Sequence, residues 1–376
     1  MAEAFKLLLN AARIQVAAAQ LQRHERRFDA AGFVARATQG LDALEFKARA
    51  GHVADALQAT LPPRFADAAA LLQAAMATPT EPGQPWADDG LSGWILWPVG
   101  EYVARHGQHD LPRALATLHA LTQRFTAEFA IRPFIAQQPK PVFETLARWT
   151  TDPSAHVRRL VSEGSRPRLP WGERLRALVA DPSPTLPLLR ALQDDDSEYV
   201  RRSVANHLND IAKDHPALVV QWLRDHLPDA ATERRALLRH ASRTLVKAGD
   251  AGALAAWGLD RPFRGTLDFG VAPRRVTLGG SLTLTLVLRS TQRQPQRLVI
   301  DYAVHHVKAD GGTRPKVFKG WVIELAGKGE RTLTKTHPMR AVTVRRYHAG
   351  RHAVDLRING RVWAESAFDL RLPRET

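Results

Sequence analysis

Apolar residues in the first 258 positions recur at i, i+3, i+4 and i+7, the spacing that puts them on one face of a helix. "EYVARHG", "LPRALATLHALTQRF" and "PALVVQWLRDHL" all follow it. Prolines fall where such helices would begin or end, in "LPPRF", "KPVFETL", "DPSPTLPLL" and "DHPALV". After "GLDRPFR" the period changes to two. "SLTLTLVL" sets Leu282, Leu284, Leu286 and Leu288 on one face of a strand, alternating with Ser281, Thr283, Thr285 and Val287. "AVDLRINGRVW" reads as a hairpin turning at Asn359-Gly360. The pattern predicts an all-α HEAT-like repeat solenoid over 1–258, a linker near 258–264, and a smaller all-β Ig-like antiparallel sandwich of seven or eight strands over 265–376.

The helical half contains a repeat. "DPSAHVRRLVSEG" (152–164) aligns with "DDSEYVRRSVANH" (195–207) at a period of 43, which matches Val157 with Val200, Arg158 with Arg201 and Arg159 with Arg202. A looser echo starts at Glu233. Each unit opens with an Asp/Ser turn suited to a helix N-terminus, and its arginine pair is expected on the exposed face.

Composition narrows the chemistry. The 376 residues include no cysteine, which removes disulfides, thiol nucleophiles and cysteine-ligated zinc. The 15 histidines form no HExxH, and neither a phosphate-binding GxxxxGK[ST] nor a GxSxG elbow occurs. No run of 18 apolar residues exists, and the first 15 positions lack the apolar core of a secretory leader; a cytosolic chain is expected. Charge is unevenly placed. Residues 1–260 carry 31 Lys and Arg against 29 Asp and Glu, whereas residues 261–376 carry 22 against 9. Such a basic second half fits a polyanion, duplex DNA or RNA, better than it fits a protein-binding adaptor.

Within the helical half the stretch "VRRLVSEGSRPRLPW" ends a helix with Glu163 and then brings Arg166, Arg168 and Trp171 close together. In repeat register Glu163 matches Asn206, and Asp210 follows Asn206 by one turn. One repeat earlier lies Glu128, with Arg132 a turn beyond it. Three acids from successive repeats therefore face one region. Two readings follow: an electrostatic site for positive charge developing in a ligand, or a structural network with Arg132, Arg159 and Arg166.

Eight segments in order resemble the AlkC branch of the AlkC/AlkD superfamily of alkylation-repair DNA glycosylases, over essentially the whole chain. They are "LEFKARAGHVADALQATLP", "WPVGEYVARHG", "LTQRFTAEFAIRPF", "VRRLVSEGSRPRLPW", "YVRRSVANHLNDIAKDHP", "DYAVHHVKADG", "KVFKGW" and "TVRRYHAGRHAV". The resemblance implies excision of cationic N-alkylated bases, chiefly N3-methyladenine and N3-methylcytosine, from double-stranded DNA without conventional base flipping. A cationic base leaves readily, so such an enzyme needs chiefly to stabilise a positively charged sugar and place a water. By the resemblance Glu128, Glu163 and Asp210 form the catalytic acidic set, while Trp171 and Asn206 contact the lesion. Arg132, Arg159, Arg166 and Arg202 would contact DNA from the helical half. Arg345, Arg346 and Arg351 in one turn, with Lys316 and Lys319 in a basic loop (308–319), would do so from the sandwich. The resemblance points to a monomer in the cytoplasm, at the nucleoid, that uses no metal or cofactor. The alternative is a HEAT-repeat binder of damaged or branched DNA that lacks activity.

Overall fold

The computed structural model describes residues 6–342 and 345–373. Among these, sixteen α-helices between Ala11 and Ala256 precede eight strands between Gly265 and Arg371. The architecture is a HEAT-like helical array followed by an Ig-like sandwich. Packing divides the chain at a different place from secondary structure. One compact unit comprises residues 1–215 and 230–241; the other comprises 216–229 and 242–376. The helices Pro216–His226, Arg243–Ala248 and Ala251–Ala256 thus group with the strands. Glycine explains part of this: a Cβ on Gly249 would lie 2.8 Å from the Gly360 carbonyl oxygen, so the β-hairpin turn seats directly on the end of a helix.

In the first unit the prolines act as expected. Pro139 and Pro141 sit in the first turn of Pro139–Trp149, and Pro112 in that of Leu111–Thr122, where a missing N–H removes no helical bond. The two repeat segments become the helices Ala155–Gly164 and Glu198–Ile211, which pack against each other. Their openings are alike in detail. Asp152 accepts from the Ser154 amide at 2.8 Å, and Asp195 from the Ser197 amide at 2.9 Å. The arginine pair departs from expectation at its first member. Arg158 curls back onto the Asp152 and Pro153 carbonyls, and Arg201 onto those of Asp195 and Asp196. Arg158 also forks onto Asp195, tying one repeat to the next. Both arginines fold back onto the start of their own helix, and Arg158 alone also joins two repeats.

The sandwich has a three-stranded sheet in the order β1 (Gly265–Ala272), β3 (Ser281–Ser290), β6 (Glu330–Pro338). Its five-stranded sheet runs β2 (Arg275–Thr277), β8 (Arg361–Arg371), β7 (Gly350–Ile358), β4 (Gln296–Val307), β5 (Thr313–Leu325). One pairing, β2 with β8, is parallel, a departure from the expected antiparallel pattern. Leu282, Leu284, Leu286 and Leu288 all point inward and are buried. Asn359 and Gly360 turn the β7–β8 hairpin at φ 47° and 75°, the positive values that a type I′ turn needs.

Candidate active site

The Ala155–Gly164 helix ends as the sequence suggests, and the ending has a steric cause. A Cβ on Gly164 would fall 2.6 Å from the Ile131 side chain, so only glycine lets the helix terminus approach this closely. That approach sets Glu163 beside the segment carrying Glu128. From there one row of alternating charge crosses successive helix pairs. Glu128 Oε2 accepts from Thr126 Oγ1 at 2.8 Å and pairs with Arg159 at 2.7 Å. Arg159 lies 3.8 Å from Glu163. Glu163 takes a hydrogen bond from Arg166 at 2.5 Å and another from Ser203 Oγ at 2.6 Å. Arg166 reaches on to Asp210 at 2.8 Å, and Asp210 meets Lys213 at 2.8 Å. The structure therefore brings Glu128, Glu163 and Asp210 together, with Arg159 and Arg166 between them. The charged network foreseen as one alternative is present, and the three acids of the candidate site are its members.

The electrostatics follow from burial and pairing together. Burial pushes the Glu163 carboxyl up, yet Arg159, Arg166 and the Ser203 hydroxyl pull harder and leave it below the usual carboxylate value. Burial alone would lower Arg159, but Glu128 and Glu163 raise it above its ordinary value. Both ends of the pair are held charged. Asp210 is 1% exposed, so removing its partners would strand a buried charge. Glu128 differs from the other two acids: its bond from Thr126 and its ion pair with Arg159 both fall on Oε2.

Arg132 belongs elsewhere than expected. It is fully buried, and its guanidinium donates to the Gly164 and Arg166 carbonyls at 2.9 and 2.8 Å and to the Glu173 carbonyl. It anchors the loop after Glu163 and presents no donor to a phosphate; burial drops its pKa to about 10. Arg168 holds the same loop by a two-pronged bond to Asp214, both arms 2.6 Å. On this pinned loop Trp171 is 73% exposed and adopts φ 63°, left-handed backbone that a tryptophan seldom takes. Its indole is therefore not core; it is presented to solvent beside the acidic row.

Asn206 and Arg202 share a partner in His240. His240 bonds Asn206 Oδ1 at 2.9 Å with one ring nitrogen and meets Arg202 at 3.2 Å with the other. Tyr199 was not foreseen, although the period of 43 sets it in register with His156 and so flags a ring at that place in both repeats. Arg159 stacks over its ring at 5.0 Å, and His156 meets it edge-on at 5.6 Å. Burial raises the Tyr199 pKa, and Glu128 and Glu163 act on it from nearby.

In the sandwich, Lys316 and Lys319 lie on strand β5, because the loop ends at Gly312. Arg351 lies on β7. Thr343 and Val344 of the proposed basic turn are outside the described residues. Arg346, Arg351, Lys316 and Lys319 are exposed, and Arg345 stacks over Tyr347 at 5.7 Å. Among the described residues no group of His, Cys, Asp and Glu is arranged to hold a metal ion.

Residues 266–372 match the family described as "Uncharacterised protein YhaZ, C-terminal Ig-like domain". YhaZ of Bacillus subtilis is 40% identical over 278 residues, which is 73% of this chain and 75% of that protein. The alkylpurine DNA glycosylase AlkC of Pseudomonas fluorescens, solved bound to DNA containing an abasic-site analogue, superposes with a TM-score of 0.90 at 35% identity. That match covers 98% of this chain and 99% of the other. The chain belongs to the AlkC-type family of alkylpurine DNA glycosylases that carry a C-terminal Ig-like domain.

Proposed function

We propose that this protein hydrolyses the N-glycosidic bond of cationic N-alkylated bases, N3-methyladenine and N3-methylcytosine, in double-stranded DNA. The supporting observation is the row Glu128–Arg159–Glu163–Arg166–Asp210. Its Glu163 carboxylate is held charged in a largely desolvated place, where fixed charge acts strongly on charge that develops during reaction. Alkylation at N3 makes the base a cationic leaving group, so no acid is needed to protonate it. Departure of the base builds positive charge on the deoxyribose. The carboxylates stabilise that charge without reorganising, because Ser203, Arg166 and Lys213 already fix them. Oε1 of Glu128, whose partners Thr126 and Arg159 sit on Oε2, is a place to orient the attacking water, whose proton passes to a carboxylate as the C–O bond forms. Trp171 offers an indole face to the cationic lesion.

The sandwich supplies a second grip through Arg345, Arg346, Arg351, Lys316 and Lys319 on phosphates. Arg202 with His240 gives a further cationic edge in the helical unit.

Base release from methylated duplex DNA tests this directly. Wild type without added metal should release N3-methyladenine. Glu163→Gln and Asp210→Asn should lose release while binding DNA. Wild type that binds DNA and releases no base would make the protein a binder and the acidic row a structural network.

A further inference from the structure

The segment 77–92 has no part in the catalytic row, yet it is built as carefully. It closes on itself at the neck: the Ala77 amide donates to the Leu91 carbonyl at 3.1 Å, and the Leu91 amide to the Ala75 carbonyl at 2.7 Å. Asp89 binds the Thr78 amide at 2.9 Å across the loop. Two outer ties fix the loop to the site. The Thr80 carbonyl meets His156 Nε2 at 3.1 Å, one turn before Arg159 on the same helix. Arg124 donates to the Ala77 carbonyl, and the Gly93 amide to the Arg124 carbonyl at 3.0 Å, two residues before Thr126.

At the tip sits Trp86, 45% exposed. Its ring packs edge-on against Phe125 at 6.1 Å. Its inner side lies on Gly93, at φ 66°, where a Cβ would fall 2.4 Å from the indole. The glycine is the seat of the ring. Behind it Phe125, Trp94, Trp97 and Phe129 form a continuous set of ring contacts with centroids 5.0 to 6.3 Å apart. Trp86 and Trp171 are the exposed aromatic residues among those described. Trp86 adjoins the Glu128 segment through Phe125, and the Trp171 loop is tied to Asp210 through Arg166.

The charge of the loop says what this surface does not bind. Residues 77–92 contain Glu81, Asp88 and Asp89 and no Lys or Arg. A phosphate would be repelled; an apolar π-face would not. A base inside an intact duplex has both faces covered by its neighbours. Only a base whose stack has been broken, as beside a vacated or distorted nucleotide, has a face to give.

We infer that Trp86 is a stacking site for an unstacked nucleobase at the Glu128 end of the acidic row, a subsite that selects duplexes broken at the lesion. This inference rests on the DNA-repair reading above. Stacking of a base on an aromatic side chain corresponds to roughly 5- to 150-fold in affinity.

The test uses the full chain and a duplex holding a tetrahydrofuran abasic analogue. 2-Aminopurine is placed in turn opposite the gap and at each neighbouring position. Wild type and Trp86→Phe should quench 2-aminopurine at one of these positions and prefer the abasic duplex to an intact one. Trp86→Ala should lose the quench and about tenfold of that preference, with intact-duplex affinity unchanged. Gly93→Ala, which keeps the indole and removes its seat, should reproduce the loss. Unchanged quench and preference in Trp86→Ala would overturn the inference, even if excision slowed, because the ring would then only support Phe125. Absence of quench in wild type at every position would overturn it too. A wild type that quenches but releases no methylated base would refute the excision reading and leave this site standing.

Discussion

Several of the basic residues expected at DNA sit differently in the helical unit and in the sandwich. In the helical unit Arg132, Arg159 and Arg166 are buried or nearly so, and each is consumed by protein groups: carbonyls, carboxylates or a tyrosine ring. In the sandwich Arg346, Arg351, Lys316 and Lys319 are exposed, and none forms an ion pair among the described residues. Net charge separates the two as well, since almost all of the +15 falls after residue 260. Paired buried charge creates fixed local fields, while unpaired exposed charge attracts a polyanion and is screened by salt. The proposed function accordingly assigns chemistry to the region whose charges nearly cancel, and grip to the region whose charges add.

The comparison can be broken in several places. The largest effect is expected on rate: Glu163→Gln should lower single-turnover excision by about 10²- to 10³-fold, the range for removing one preorganised electrostatic group. Fluorescent-duplex titration should find its DNA affinity within a few fold of wild type. Next is stability. Arg166→Ala removes a paired cation from two buried acids, Glu163 and Asp210, and should cost about 3–5 kcal/mol in denaturant unfolding. Arg346→Ala, exposed and unpaired, should cost nothing measurable there.

Acid should act on both units through buried neutral histidines. Burial depresses His207 to about 4 in the helical unit, and His306 and His337 to about 3 and about 4 in the sandwich. The unfolded chain protonates these rings near 6.5, whereas the folded chain resists. Stability present above pH 6.5 is thus lost progressively as pH falls to about 4 for His207 and His337 and to about 3 for His306. Replacing His207 with Asn should flatten that slope for the helical unit alone, as read by proteolysis of each unit in urea at pH 7 and 5. The smallest effect is on salt. Replacing Arg345, Arg346 and Arg351 together should reduce the slope of log affinity against log salt by about 2 to 3.

The sandwich was the more legible region, because alternation and an Asn-Gly turn are local signals. Leu282 to Leu288 and Asn359-Gly360 needed no knowledge of the rest of the chain. The acidic row was legible through the repeat, which carried Glu163 and Asp210 to neighbouring helices. What the residues around it do was not. Arg132 and Arg159 look alike in sequence, yet one binds carbonyls of a loop 32 to 41 residues away and the other a carboxylate. Trp171 was placed at the lesion by resemblance alone; its left-handed backbone and exposure, on a loop held by Arg132 and Asp214, had no signal in the sequence. Trp86 gave no signal because its support, Gly93 and Phe125, is assembled only by folding.

The most direct test compares two variants at saturating protein on a methylated duplex: Glu163→Gln, and the triple Arg345→Ala, Arg346→Ala, Arg351→Ala. The account predicts that Glu163→Gln saturates at the wild-type concentration with a far slower excision rate. The triple variant should need more protein but reach the wild-type rate. A triple variant slow at saturation, or a Glu163→Gln variant as fast as wild type once bound, would contradict the division of chemistry and grip between the two units.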